Sequence, residues 1–184
     1  MRSRAVLVGV VGACLAAGVL TLEAAAVETC ATPRIDIADW PIVRSARVPG
    51  FTLRLPRSFA LDADSRVGAA PATLTAAGWT DSLQGRFALS RFPNDGSTRP
   101  PMPSADGRAG YRRCEAQVGT AVADIVSYAD QQPAGATTLA SRFVVHARVR
   151  WPDGEELVVS ADAAGRTQLD QLLAAVRTIR RTGA

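Results

Sequence analysis

The sequence predicts an α+β fold, a mostly antiparallel sheet of about five to seven strands with a C-terminal amphipathic helix packed on one face. Three observations carry that expectation. Apolar and polar residues alternate from Arg142 to Trp151, Pro152-Asp153-Gly154 signals a turn, and alternation resumes from Glu155 to Ala161. Beyond Thr167, Leu169, Leu172, Leu173, Val176 and Ile179 recur at helical spacing and make one apolar stripe. Phe51, Leu53 and Leu55 alternate with Thr52 and Arg54, a short strand between Val48-Pro49-Gly50 and Pro56.

At the N-terminus, Arg2 and Arg4 precede an apolar run from Ala5 to Leu22, and Ala24-Ala25-Ala26 offers small residues for cleavage. This is the pattern of a signal peptide over residues 1–26. It implies an exported protein, periplasmic or extracellular, cleaved near Ala26, with residues 27–184 as a single domain and no membrane span in the mature chain. Two other readings stay open. Val11-Gly12-Ala13-Cys14 resembles a lipobox, which would acylate Cys14, and the apolar run could serve as a short uncleaved anchor.

Cleavage would remove Arg2, Arg4 and Glu23, leaving nineteen basic against sixteen acidic side chains, a formal charge of +3. That charge is mild, and no basic cluster interleaves with aromatics, so nucleic acid is not an expected partner. Every basic residue is arginine, so a phosphate-cradling loop that uses lysine is excluded. No cofactor is expected. Two cysteines, Cys30 and Cys114, follow the leader. An even count in an exported chain points to a disulfide. The bridge would tie the N-terminal segment to the middle of the domain and contribute up to roughly 4 kcal/mol by the chain-entropy argument. A redox pair is disfavoured, because there is no C-x-x-C spacing.

Residues 27–46 show no sustained period and are expected to wrap the domain, pinned by Cys30 and Trp40. After the Phe51–Leu55 strand the chain turns over Arg57–Ala60, and Leu61–Pro71 reads as a loop. Within it, Asp62-Ala63-Asp64-Ser65 has the look of a calcium fragment but lacks the further oxygen ligands and the closing Glu. Thr73–Thr80 is expected to be a strand with Trp79 inward, and Arg86–Phe92 another. Residues 93–110 hold Asn94-Asp95-Gly96-Ser97 and Pro100-Pro101-Met102-Pro103, a flexible Pro/Gly-rich loop by composition. A Pro-rich run of this kind can also dock on an aromatic groove.

Tyr111–Tyr128 fits either a helical stripe or alternation. Gly119-Thr120 divides it at a plausible turn, which favours two strands, Arg112–Val118 and Ala121–Tyr128. Gln131–Gly135 reads as a loop. In the strand that follows, Phe143, Val145, Ala147, Val149 and Trp151 point to one face, and Arg142, Val144, His146, Arg148 and Arg150 to the other. With Gly154 as the left-handed residue of a three-residue hairpin loop, Val149 should face Leu157, Ala147 should face Val159 and Arg150 should face Glu156. The helix is expected to begin near Thr167, with Thr167 and Asp170 resembling a capping box. Arg177, Arg180 and Arg181 fall in and just past its last turn, where cations suit the helix dipole.

Catalytic signals are sparse. A Ser-His-Asp triad would have to use His146, the single histidine, and no nucleophile elbow accompanies it. One histidine and a cystine leave too few ligands for zinc. Carboxylate pairs of the glycosidase kind cannot be singled out, so a hydrolase using unidentified carboxylates is the enzymatic alternative. The feature with a direction is the strip Arg142, His146, Arg148 and Arg150, suited to an anionic ligand or an acidic envelope partner. The other reading is a solvated face neutralised by Glu156.

Gly50-Phe51-Thr52-Leu53-Arg54-Leu55-Pro56, the hairpin Phe143–Ala161 and the last helix ending Val176-Arg177-Thr178-Ile179-Arg180 together resemble small exported proteins with a Mog1/PsbP-like α/β fold. The resemblance spans about half of residues 27–184. It implies a mostly antiparallel sheet with helices packed on it, and a binding or accessory role without chemistry of its own; with the signal-peptide pattern, that makes an accessory protein of the cell envelope the expectation. It supplies no site residues. The sequence departs from it in having one convincing helix, and its arginine-rich outer face suits an open sheet better than one covered on both sides.

Overall fold

A computed structural model describes residues 28–44, 46–61, 73–78, 85–92, 94, 96, 98–134 and 138–182. The expected signal peptide over residues 1–26, Cys14 within it, Asp62-Ala63-Asp64-Ser65 and Trp79 lie outside the described residues. The elements run in the order β1 (Ile42–Arg44), β2 (Phe51–Arg54), β3 (Ala60–Leu61), β4 (Thr73–Gly78), β5 (Gly85–Phe92), β6 (Ala109–Val118), β7 (Ala121–Ala134), β8 (Thr138–Arg150), β9 (Glu156–Ala163), α1 (Arg166–Arg177) and β10 (Arg180–Arg181). Seven strands form one sheet, ordered β3-β4-β5-β9-β8-β7-β6, and β1, β2 and β10 form a second. Strand pairing in both is antiparallel, so the chain is α+β with antiparallel sheets.

The β8–β9 hairpin has the register its alternation dictates: Val149 pairs with Leu157, Ala147 with Val159 and Arg150 with Glu156. The turn closes through Trp151 N to Glu155 O at 3.0 Å and Gly154 N to Trp151 O at 3.0 Å. Gly154 has φ of 85°, a left-handed conformation that a Cβ would strain. The inward set, Val145, Ala147, Val149, Leu157 and Val159, is fully buried. Leu169, Leu172, Val176 and Ile179 bury against the same core, so α1 packs on this inner face as its stripe requires. Leu173 is half-buried at the margin.

Several boundaries differ from expectation for identifiable reasons. No side chain caps α1. Gly165 is the N-cap in extended conformation, and Thr167 lies inside the helix, so the Thr167–Asp170 box does not form. Arg180 and Arg181 leave the helix and pair with Thr52 and Phe51. Thr178 makes that exit: its Oγ1 donates to Ala175 O at 2.7 Å and accepts from Arg54 N at 2.8 Å, tying α1 to β2. The irregular 27–46 segment includes the short strand β1, and Ala60 begins β3 instead of ending a turn. Strand β8 starts at Thr138, four residues before Arg142, and β7 runs through the stretch expected as a loop, as far as Ala134.

Pro133 is tolerated there because of topology. Strand β6 pairs with β7 only as far as Ala129, whereas β8 pairs on to Ala134. Past Ala129, β7 therefore borders β8 alone, an edge position of the kind in which proline is tolerated.

Cys30 and Cys114 are joined by a disulfide. It sits beside a short parallel bridge in which Cys30 N donates to Glu115 O and Glu115 N to Glu28 O, both at 2.8 Å. The N-terminal segment is thus stitched to the edge strand β6, and Trp40 further along is buried in the core.

Candidate functional site

The strip residues Arg142, His146, Arg148 and Arg150 share the outer face of the sheet because they alternate with the buried set along β8. Strand register decides what each one meets. Arg142 lies across from Asp130 on β7, and it ion-pairs with Asp162 on β9, the register partner of Val144. Arg148 and Arg150 flank Glu156, with Nε atoms at 2.9 and 3.6 Å from its carboxylate, and Arg99 Nε approaches it at 3.5 Å. Glu156 is 4% exposed, so three guanidinium groups gather round one buried carboxylate. The Arg148 contact is a close approach of charges and not an aligned hydrogen bond. Arg150 keeps the most solvent contact of the three.

A second carboxylate does the same work on the opposite side of the hairpin. Glu155 is buried, with Arg91 Nε at 2.5 Å and Arg181 NH2 at 3.0 Å. Arg91 also lies over the Phe51 ring at 5.7 Å, and Phe51 packs on Trp151. Arg181 bridges on to Asp153 in the turn, which lowers the carboxyl pKa of Asp153 and raises that of the guanidinium. Neighbouring glutamates thus anchor the hairpin end from both faces. The sequence suggested only the Arg150–Glu156 member of this set.

The outer face is not wet throughout, contrary to the simple alternation. Val126, Tyr128 and Val144 form a small buried cluster with Met102 and Tyr111 packed against it. The loop 98–108 supplies the cover, so the outer side is partly roofed and not open. Arg148 NH2 donates to Pro100 O at 2.7 Å, Tyr111 Oη donates to Pro103 O at 3.1 Å, and the Arg108 guanidinium lies 4.8 Å over the Tyr128 ring. Between this loop and strands β5 and β9 lies a cavity of about 520 Å³ with a largely apolar lining that includes Phe92, Val158, Pro100 and Pro101. Composition marked the 93–110 segment as irregular; its docking depends on tertiary contacts.

His146 is half-buried, stacked on Tyr128 at 6.1 Å between centroids, with Nε2 3.4 Å from the tyrosine hydroxyl. Its pKa is lowered, first by burial and then by the nearby Arg108 charge. Beyond Glu156, Arg113 and Asp124 form a two-pronged pair at 3.0 and 2.7 Å, which raises the guanidinium pKa.

On the inner side, a groove of about 600 Å³ runs between α1 and the β6–β7 end of the sheet, bordered by Cys30 and Cys114. Among the described residues, no group of three or more His, Cys, Asp or Glu is placed to hold a metal ion, and no helix is long and apolar enough to cross a membrane. No family model and no curated protein matches this chain.

Proposed function

We propose that this is an exported binding or accessory protein of the cell envelope, without chemistry of its own, that engages an acidic partner through the outer face around Arg142, His146, Arg148 and Arg150. The observation that carries the proposal is the arginine cluster around Glu156. One carboxylate fixes the positions of Arg99, Arg148 and Arg150 while leaving a positive excess, and Arg150 remains well exposed. Pre-positioned guanidinium groups lose less freedom when they meet a partner carboxylate. The cystine supports export, since such bonds persist in oxidising compartments. The two most buried glutamates are engaged by arginines, which favours a structural role for them over acid–base work. A Mog1/PsbP-like assignment belongs to the same proposal, supported by the antiparallel sheet and the last helix on its inner face.

A photo-crosslinking residue at position 150, in cells that express the full chain, tests it. We expect adducts with one or a few envelope proteins, lost when Arg142 and Arg148 are changed to Glu. Adducts only with cytosolic proteins, or hydrolytic turnover by the purified protein that E156Q abolishes, would overturn it.

A further inference from the structure

We propose that the inner groove is a second binding site, for a single-chain amphiphile with an anionic head, a carboxylate or a phosphate on an apolar tail. This goes beyond the outer-face proposal and does not depend on it, because Cys114, Phe143, Leu169 and Leu173 in the groove lining pack on the inner core and none of the four strip residues lines it.

The groove has a volume of about 600 Å³, within the size range of small-molecule pockets. Its depth is apolar: Ile125 from β7, Phe143 from β8, and Leu169 and Leu173 from α1. Phe143 and Leu173 are only partly buried against the core, so the helix stops short of covering the inner face at this end. The rim is cationic. Arg112, Arg166 and Arg177 line it, against the single acidic residue Asp170.

The three arginines are differently employed. Arg177 donates to Cys30 O at 2.7 Å and Ala31 O at 3.2 Å, and so holds the N-terminal segment in place as a wall. Arg166 lies over the Phe143 ring at 5.6 Å, which places its charge directly above the apolar depth. Arg112 is exposed on β6, on the same side of the sheet as Cys114. Arg112 from the sheet and Arg166 from the helix therefore line the same groove as Phe143, Leu169 and Leu173. The disulfide and the Arg177 contacts make the wall rigid, so the groove is formed before any ligand arrives. Charge complementarity selects the head and the apolar depth selects the tail. A cationic amphiphile would meet the rim with the wrong sign, and a short carboxylate would leave the depth unfilled.

Isothermal titration of the purified protein distinguishes these terms, using laurate, dodecyl phosphate, dodecyltrimethylammonium and butyrate, all below their micelle concentrations. We expect laurate or dodecyl phosphate, or both, to bind at one per chain, and the tighter of the two identifies the head. Dodecyltrimethylammonium and butyrate should bind at least about tenfold more weakly, the factor expected for loss of one good charged or apolar contact. The R112A/R166A double variant, altered at two rim positions outside the core, should weaken the better anion by about tenfold or more. The proposal is overturned if neither anion binds, if the cationic amphiphile or butyrate binds as well, or if R112A/R166A has no effect. Weakening by R150A in place of R112A/R166A would move the anion to the outer face and overturn it equally. Crosslinking at position 150 reports only on that outer face, so the two proposals fail separately.

Discussion

The two faces of the seven-stranded sheet are held by different forces. The inner face is an aliphatic interior: Phe87, Val145, Val149, Leu157 and Leu172 are fully buried, and α1, the small sheet and the disulfide close over them. The outer face carries ion pairs and an island of three buried residues under a loop. Hydrophobic burial is non-directional and scales with area, so the inner face sets stability. Ion pairs near the surface contribute little net energy but fix where charges sit. The outer face is therefore the one that can vary with a partner while the fold holds.

If that contrast is right, the largest loss should come from the inner face. Leu172→Ala removes a fully buried side chain between helix and sheet and should cost about 2–5 kcal/mol, read as a lower denaturation midpoint at unchanged slope. A cost below about 1 kcal/mol would mean that α1 is only loosely held. Next comes the paired Cys30→Ser, Cys114→Ser variant. Its bridge spans 84 residues of sequence, and its removal should cost about 2–4 kcal/mol. Hydrogen exchange should then rise first at position 30 and at Glu115, whose amides form the bridge between the N-terminal segment and β6.

The contrast was only half legible in the sequence. Strict alternation over Arg142–Trp151, turn chemistry at Pro152-Asp153-Gly154 and the Leu169–Ile179 stripe specified the inner face down to its register. Those signals are local, with fixed periods of two and 3.6 residues. The outer face was written in long-range terms. Nothing near Pro100 announces that its carbonyl accepts from Arg148, 48 positions away, because composition marks a loop without saying where it lies. Glu156 was matched with Arg150 by register, but its contacts with Arg99 and Arg148 depend on that same loop and on a neighbouring strand position. The helix start was legible to within a residue, but its cap was not: Thr167 is the better capper by residue type, yet the N-cap falls at Gly165, with no side-chain cap. Strand β10 is two residues long, too short for any periodicity to show.

The outer face sharpens the comparison by smaller effects. Glu156→Gln leaves Arg148 and Arg99 without their shared anion while both remain about one-fifth exposed and able to reach water. We expect a cost of about 1–3 kcal/mol, below that of breaking a fully buried pair. The 98–108 loop should also loosen, measured as faster exchange of the Arg108 amide, which is bonded within the loop to Ala105 O. A loss as large as that of Leu172→Ala would erase the distinction between the faces.

The smallest effect expected is also the most local. His146 has a pKa below its ordinary 6.5, first from burial and then from Arg108. The polar groups next to it in register or contact are Tyr128 and Asp124 on β7, Arg148 on its own strand, Ser160 and Asp162 on β9, and Arg108 from the loop. A histidine whose folded pKa is depressed binds its proton more readily when unfolded. Its neutral form is favoured in the fold, so this site costs nothing above pH 6.5 and destabilises progressively as the pH falls from there toward the folded value. Protonation would put a second positive charge near Arg108, both groups lying against the Tyr128 ring. His146→Gln should flatten this part of the pH–stability curve without moving the curve above pH 7. It should also remove an acid-dependent rise in the exchange of Arg108 N–H, whereas Leu172→Ala should lower the whole curve and leave its shape intact. A His146→Gln curve that stays parallel to wild type from pH 7 to pH 5 would show that the ring is as well solvated folded as unfolded, and that the loop does not press on it.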